Sequence, residues 1–171
     1  MEILDIVNEN DEVIWQIERT ECYKKWTINR LVWVVIVNDK WEIALQKRSS
    51  KCSFLPWYWA LSAWWHVSCW DTYLQAAKRE LFEEIWIKCD LKFIWKDFDD
   101  RLKINWKLND SDKSHYFFQE IYEWKHNWPF EFTDWEVDEI KFFSREELKE
   151  MIKSWDKIMP WTIRVLEKYY L

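Results

Sequence analysis

The 171-residue chain contains no glycine and 17 tryptophans, and that pairing limits the backbone it can form. Average usage near ~7% would supply roughly a dozen glycines. Turn positions with φ > 0 suit Gly or Asn and penalise a bulky residue. Several tryptophans stand at such places. Trp41 follows Asn38-Asp39-Lys40 between two strand-like runs, Trp106 follows Asn105, and Trp128 sits between Asn127 and Pro129. Trp is normally a large, mostly buried side chain, and a chain of this size has no room for so many at loop tips. The pattern predicts that most of these positions are glycine in the natural parent and altered in this sequence. Trp59, in Tyr58-Trp59-Ala60-Leu61, reads instead as a true core tryptophan.

The length suits a single domain spanning 1–171, with no repeat or Pro/Ser-rich linker to divide it. The formal net charge of -6 argues against a general binder of nucleic acid or anionic membranes. It does not exclude a phosphate substrate, because a bound cation reverses the local field. No basic leader or bilayer-length apolar run is present. Cys22, Cys52, Cys69 and Cys89 form no CxxC pair. They are expected to be reduced thiols of a cytoplasmic protein. Nothing fixes an oligomeric state; a homodimer stays open.

Glu12 to Glu18 alternates like a strand, and Leu31 to Val37 is an apolar, β-branched run with Trp41 to Gln46 as its hairpin partner. Trp59 to Leu61, Leu91 to Ile94, His115 to Ile121 and Val137 to Phe143 are further expected strands. Thr72 to Ile85 is expected to be a helix with an apolar stripe of Leu74, Ala77, Leu81 and Ile85, capped by Asp71. Ser144-Arg145-Glu146-Glu147 carries a capping-box pattern, and a last helix follows Pro160. Mixed strands with an intervening helix and terminal helices imply an α/β/α layering.

Within the central helix, Glu80, Glu83 and Glu84 stand at i, i+3 and i+4 and share one face. Three adjacent carboxylates repel one another, so stability alone gives little reason for the grouping. A hard cation such as Mg²⁺ or Mn²⁺ reverses the sign of that interaction. A solvated acidic face is the competing reading at this level.

The residues around the helix add a pattern. The segment 65–87 resembles the Nudix box: Gly, five residues, Glu, seven residues, Arg-Glu, an aliphatic, any residue, Glu-Glu, any residue, Gly, an aliphatic. Trp65 takes the first glycine position and Asp71 the first glutamate. Arg79-Glu80-Leu81, Glu83-Glu84, Trp86 and Ile87 follow at the right spacing. Both glycine mismatches fall on tryptophan. Asp5-Ile6-Val7-Asn8-Glu9, Leu45-Gln46-Lys47-Arg48-Ser49 and Phe54-Leu55-Pro56-Trp57-Tyr58-Trp59 resemble the superfamily branch that includes isopentenyl-diphosphate isomerases and related bacterial hydrolases.

The resemblance implies an α/β fold of the Nudix type, an α/β/α sandwich with a mixed sheet. It implies hydrolysis of a diphosphate linkage in a nucleoside diphosphate linked to another moiety, or in a related small organic diphosphate. By the same resemblance Glu80, Glu83 and Glu84 ligate Mg²⁺ or Mn²⁺. Glu83, Glu84 or Glu139 handles the attacking water, and Arg79 and Asp71 support the site. Lys47 and Arg48, at a strand end, are candidate holders of phosphate oxygens. Phe54, Tyr58, Tyr116, Phe117 and Phe118 are aromatics for packing or base stacking. Two rivals stand beside hydrolysis. An isomerase of this branch uses a cysteine close to the position of Trp64 and a glutamate near Lys113; neither is present here. A non-catalytic nucleotide sensor would not need the full carboxylate set.

Overall fold

The structure is a computed structural model that describes residues 2–22, 27–52, 54–85, 89–99, 116–127, 135–154 and 156–171, the side chains of Glu84, Ile85, Asp99 and Tyr116 excepted. Its strands form a nine-stranded sheet with the order β2-β1-β3-β4-β5 along its main path. Strand β6 pairs with β3, β8 with β3 and β7, and β9 with β4. The chain groups into two compact units that interleave along the sequence. One holds 1–33, 64–80 and 93–122; the other holds 34–63, 81–92 and 123–171.

In the first unit, β1 (Ile3–Val7) and β2 (Val13–Glu18) form an antiparallel hairpin, from Ile3 opposite Glu18 to Ile6 opposite Trp15. A short helix α1 (Arg19–Cys22) follows. Leu4, Ile6 and Cys22 are buried together, with Ile17 packed against them. β3 (Ile28–Val37) enters opposite Val7 at Ile28. Its residues Leu31 to Val37 are all buried, as a continuous apolar run without alternation requires. β6 (Ala63–His66), most of helix α2 (Tyr73–Ile85), β7 (Lys92–Asp99) and most of β8 (Tyr116–Lys125) complete this unit.

In the second unit, β4 (Ile43–Arg48) lies between β5 (Trp59–Leu61) and β9 (Val137–Phe143), antiparallel to both. Trp59 also bridges Ile158 in parallel. The fully buried Ser62 hydroxyl accepts from the Ile36 N–H at 2.8 Å and donates to the Ala44 carbonyl at 2.6 Å. Helix α3 (Arg145–Lys153) begins with the expected capping box. The Ser144 hydroxyl accepts from the Glu147 N–H, and the Glu147 carboxylate accepts from the Ser144 N–H. Helix α4 (Pro160–Tyr169) starts on Pro160, where a missing N–H costs nothing.

Two hairpins share one turn. In Asn8–Glu12 the Asn8 side chain accepts from the Asn10 and Glu12 N–H groups, and Asp11 N–H returns to the Asn8 carbonyl. In Asn38–Glu42 the same bonds recur from Lys40, Glu42 and Trp41. The fourth residue is left-handed in both: Asp11 at φ 61° and Trp41 at φ 63°. Leu55, Trp57 and Trp70, at φ 44°, 70° and 75°, are also left-handed. Asp tolerates this region; an indole-bearing residue has no local reason to adopt it.

Candidate functional site

Helix α2 opens on Thr72, one residue later than Asp71, the cap expected from sequence. The Thr72 N–H donates to Gln75 Oε1 at 2.8 Å, and the Gln75 N–H donates to Thr72 Oγ1 at 3.2 Å. That reciprocal pair is a capping box, and it releases the Asp71 carboxylate for another task. The buried face of the helix is Tyr73, Ala76, Ala77 and Leu81, whereas Leu74 is exposed. The expected stripe was therefore offset by one position at its start.

Asp71 instead accepts from Arg79 Nε at 3.1 Å and Arg79 Nη2 at 2.9 Å. Arg79 Nη1 donates to Glu80 Oε1 at 2.6 Å, and Nη2 reaches Ser68 Oγ at 3.4 Å. One guanidinium thus ties the loop before the helix to a carboxylate two turns along it, using the planar fork that lysine lacks. Burial works to lower the Arg79 pKa, but Asp71 and Glu80 outweigh it and raise it. Glu80 is mostly covered, its side chain 18% exposed, and Glu83 is exposed three residues further on. Glu84 is within α2, but its side chain lies outside the described residues, as do Trp86 and Ile87. Among the described residues no group of three His, Cys, Asp or Glu side chains is gathered to hold a metal.

In the second unit a row of side chains crosses three strands. Lys47 is directly opposite Trp59 on β5 and Glu139 on β9. Directly opposed residues of antiparallel strands project to the same side. Lys47 Nζ lies 5.8 Å from the Trp59 ring, Glu139 is exposed, and Trp59 meets Phe143 edge-on at 5.0 Å. Arg48 is buried and already engaged. Its Nε donates to the Phe54 carbonyl at 3.0 Å, and Nη1 stands 3.8 Å from Glu136. Its backbone also closes the 49–58 loop through Trp57 and Tyr58. Phe54 stacks on Trp161 at 5.8 Å, Phe117 is buried, and Phe118 packs at 4.7 Å from Phe98. These three are packing residues; the Tyr116 side chain is outside the described residues. All four cysteines are free thiols.

One cluster carries no sequence signal at all. The Asp11 carboxylate, 9% exposed, pairs with Arg30 Nε at 2.6 Å, accepts from Tyr73 Oη at 3.1 Å and pairs with Lys96 Nζ. Lys96 also stands 3.6 Å from Glu120 and over the Tyr73 ring at 4.7 Å. Burial first, and then Asp11, push the Tyr73 hydroxyl far above its usual pKa. Its members come from five separate segments, so no spacing could have announced it.

The model of the NUDIX domain matches residues 27–162, which is most of the chain. The chain belongs to the Nudix family. Among curated Nudix relatives, an uncharacterized hydrolase of Nostoc is 38% identical over 86 residues, covering 50% of this chain and 51% of the relative. The chain thus matches about half the length of that protein. An isopentenyl-diphosphate Delta-isomerase of Pectobacterium atrosepticum is 27% identical over 113 residues, 66% of this chain and 63% of the relative. The crystal structure of DR0079 from Deinococcus radiodurans superposes with a TM-score of 0.81 at 22% identity, covering 99% of this chain and all of that one. The fold is therefore the α/β, mixed-sheet Nudix fold expected from sequence. Among the described residues no helix is long and apolar enough to cross a membrane.

Proposed function

We propose that this Nudix domain hydrolyses a diphosphate linkage in a small molecule, a nucleoside diphosphate linked to another group or a related organic diphosphate, with Mg²⁺ or Mn²⁺. The observation that carries the reading is the Arg79 clamp. A guanidinium bound to both Asp71 and Glu80 fixes one carboxylate of the helix face without using it as a cap. The donor set fits a hard cation, because Glu80, Glu83 and Glu84 offer only carboxylate oxygens. A bound Mg²⁺ or Mn²⁺ would neutralise the diphosphate and lower the pKa of a coordinated water.

The protein's own groups divide the remaining work. Arg79 holds Glu80 in place through its Nη1. Glu83, Glu84 or Glu139 takes the proton of the attacking water as the new phosphorus–oxygen bond forms and the bridging one breaks. Lys47 supplies a point charge to phosphate oxygens, and Arg48 steadies the strand end from which Lys47 projects. A panel of diphosphates assayed with Mg²⁺ and Mn²⁺ tests the class of substrate. Glu83→Gln and Glu84→Gln are expected to lower metal-dependent turnover by orders of magnitude; undiminished turnover would remove both carboxylates from the catalytic machinery, and a parent with no metal-dependent turnover on any diphosphate would leave only a binding module.

The similarity to an isopentenyl-diphosphate isomerase favours one second reading. Incubation with isopentenyl diphosphate distinguishes the two. Rearranged product without phosphate release would replace hydrolysis with isomerisation.

A further inference from the structure

We infer that the functional polypeptide carries glycine at Trp41, Trp57 and Trp70, because one codon, UGA, is read as glycine in the cell that makes it. Three independent observations converge. The first is conformational. All three tryptophans sit at φ between 63° and 75°, in the region that glycine enters freely and a residue with a Cβ does not. The second is exposure. Trp41, Trp57 and Trp70 are 61%, 46% and 84% exposed, against the strong tendency of tryptophan to be covered. The third is the repeated turn: the same bonds hold Asn8–Glu12 and Asn38–Glu42, yet the left-handed residue is Asp in one and Trp in the other.

Composition then selects the mechanism. Scattered substitutions would leave some glycines and would produce several residue types. Here glycine is absent altogether and tryptophan is abundant. A single decoding rule produces that pattern when the gene writes its glycines as UGA and not as GGN, because any GGN codon would still appear as glycine. UGA differs from the glycine codon GGA only in its first base and from the tryptophan codon UGG only in its last. A glycine transfer RNA with one altered anticodon base reads UGA, and a decoder that takes UGA as tryptophan writes tryptophan at the same sites. Trp59 is the internal contrast. It lies in strand β5, is half-buried and packs on Phe143 at 5.0 Å. Its codon is expected to be UGG.

The test reads the gene and the protein from its own host. Codons 41, 57 and 70 are expected to be UGA and codon 59 UGG. Peptide mass spectrometry of the host protein should find glycine at the first three positions and tryptophan at 59. UGG at codons 41, 57 and 70, or tryptophan in those host peptides, overturns the inference; so do ordinary GGN codons there, which would need no special decoding. None of these outcomes depends on catalytic activity, so they leave the proposed hydrolysis to its own assay.

Discussion

Replacing Trp41 with glycine should stabilise the protein, an unusual direction for a large-to-small change. A non-glycine residue in the left-handed region costs roughly 1–2 kcal/mol. Glycine returns about 0.5–1 kcal/mol of that through the greater freedom of the unfolded chain. The indole also sits 5.7 Å from Lys125 Nζ, an exposed cation–π contact of about 0.5 kcal/mol that the change removes. Lys125 keeps its ion pair with Asp39 at 3.0 Å, so the loss ends there. These terms sum to between a loss of about 0.5 and a gain of about 1 kcal/mol, centred on a small gain for Trp41→Gly. The matching change Trp59→Gly should instead lose about 2 kcal/mol or more, because a half-buried ring leaves Phe143 and a strand gains glycine. Urea denaturation of the two variants beside the parent gives the comparison, with midpoints moving in opposite directions. If Trp41→Gly destabilises the chain as Trp59→Gly does, the indole is part of the turn's packing and the argument from φ fails.

Asp11→Asn should cost about 2 kcal/mol in denaturant melts, since charge-assisted bonds to Arg30 and Lys96 are lost from a mostly covered carboxylate. Arg79→Lys keeps the charge but loses the fork; the Mg²⁺ concentration for half-maximal turnover should rise several-fold or more while the melting temperature moves little, and an unchanged metal response would remove Arg79 from the site. Glu147 has a lowered pKa, chiefly from the Ser144 N–H and then the Ser144 hydroxyl. A depressed carboxylate stabilises above its unfolded pKa and loses that contribution as pH falls through its folded value. Parent and Glu147→Gln should therefore differ in melting temperature at neutral pH and converge in acid; a constant gap would assign the effect to shape rather than charge.

The parts of the fold that follow from local pattern were readable, and those that follow from distant partners were not. Val137 to Phe143 and the short apolar run Trp59 to Leu61 were readable as strands, and the Ser144 capping box announced itself by its three-residue spacing. β6 was hidden because its Trp64-Trp65 pair reads as a loop, although Ala63–His66 pairs with β3. β7 runs on to Asp99, beyond the apolar stretch that marks its start. Asp71 looked like a cap because it precedes the helix, but Arg79 competes for it and Thr72 with Gln75 takes its place. On helix α2, the neighbouring placement of Arg79, Glu80 and Glu83 was legible from their spacing. The engagement of Arg48 with the Phe54 carbonyl was not, because strand-end charge says nothing of which atoms it will meet.

The Asn38 turn also acts as a ruler. Its side chain accepts two of the bonds that close the loop, the residue at 41 gives only its backbone N–H, and the turn sets Val37 opposite Ile43. A slip of one residue there would turn every side chain of β4 to the opposite face. Lys47 would then leave the side it shares with Glu139 and Trp59, and Arg48 would take its place. The orientation of a charge at the far end of the strand is thus decided by one amide side chain at the near end, whichever residue occupies position 41.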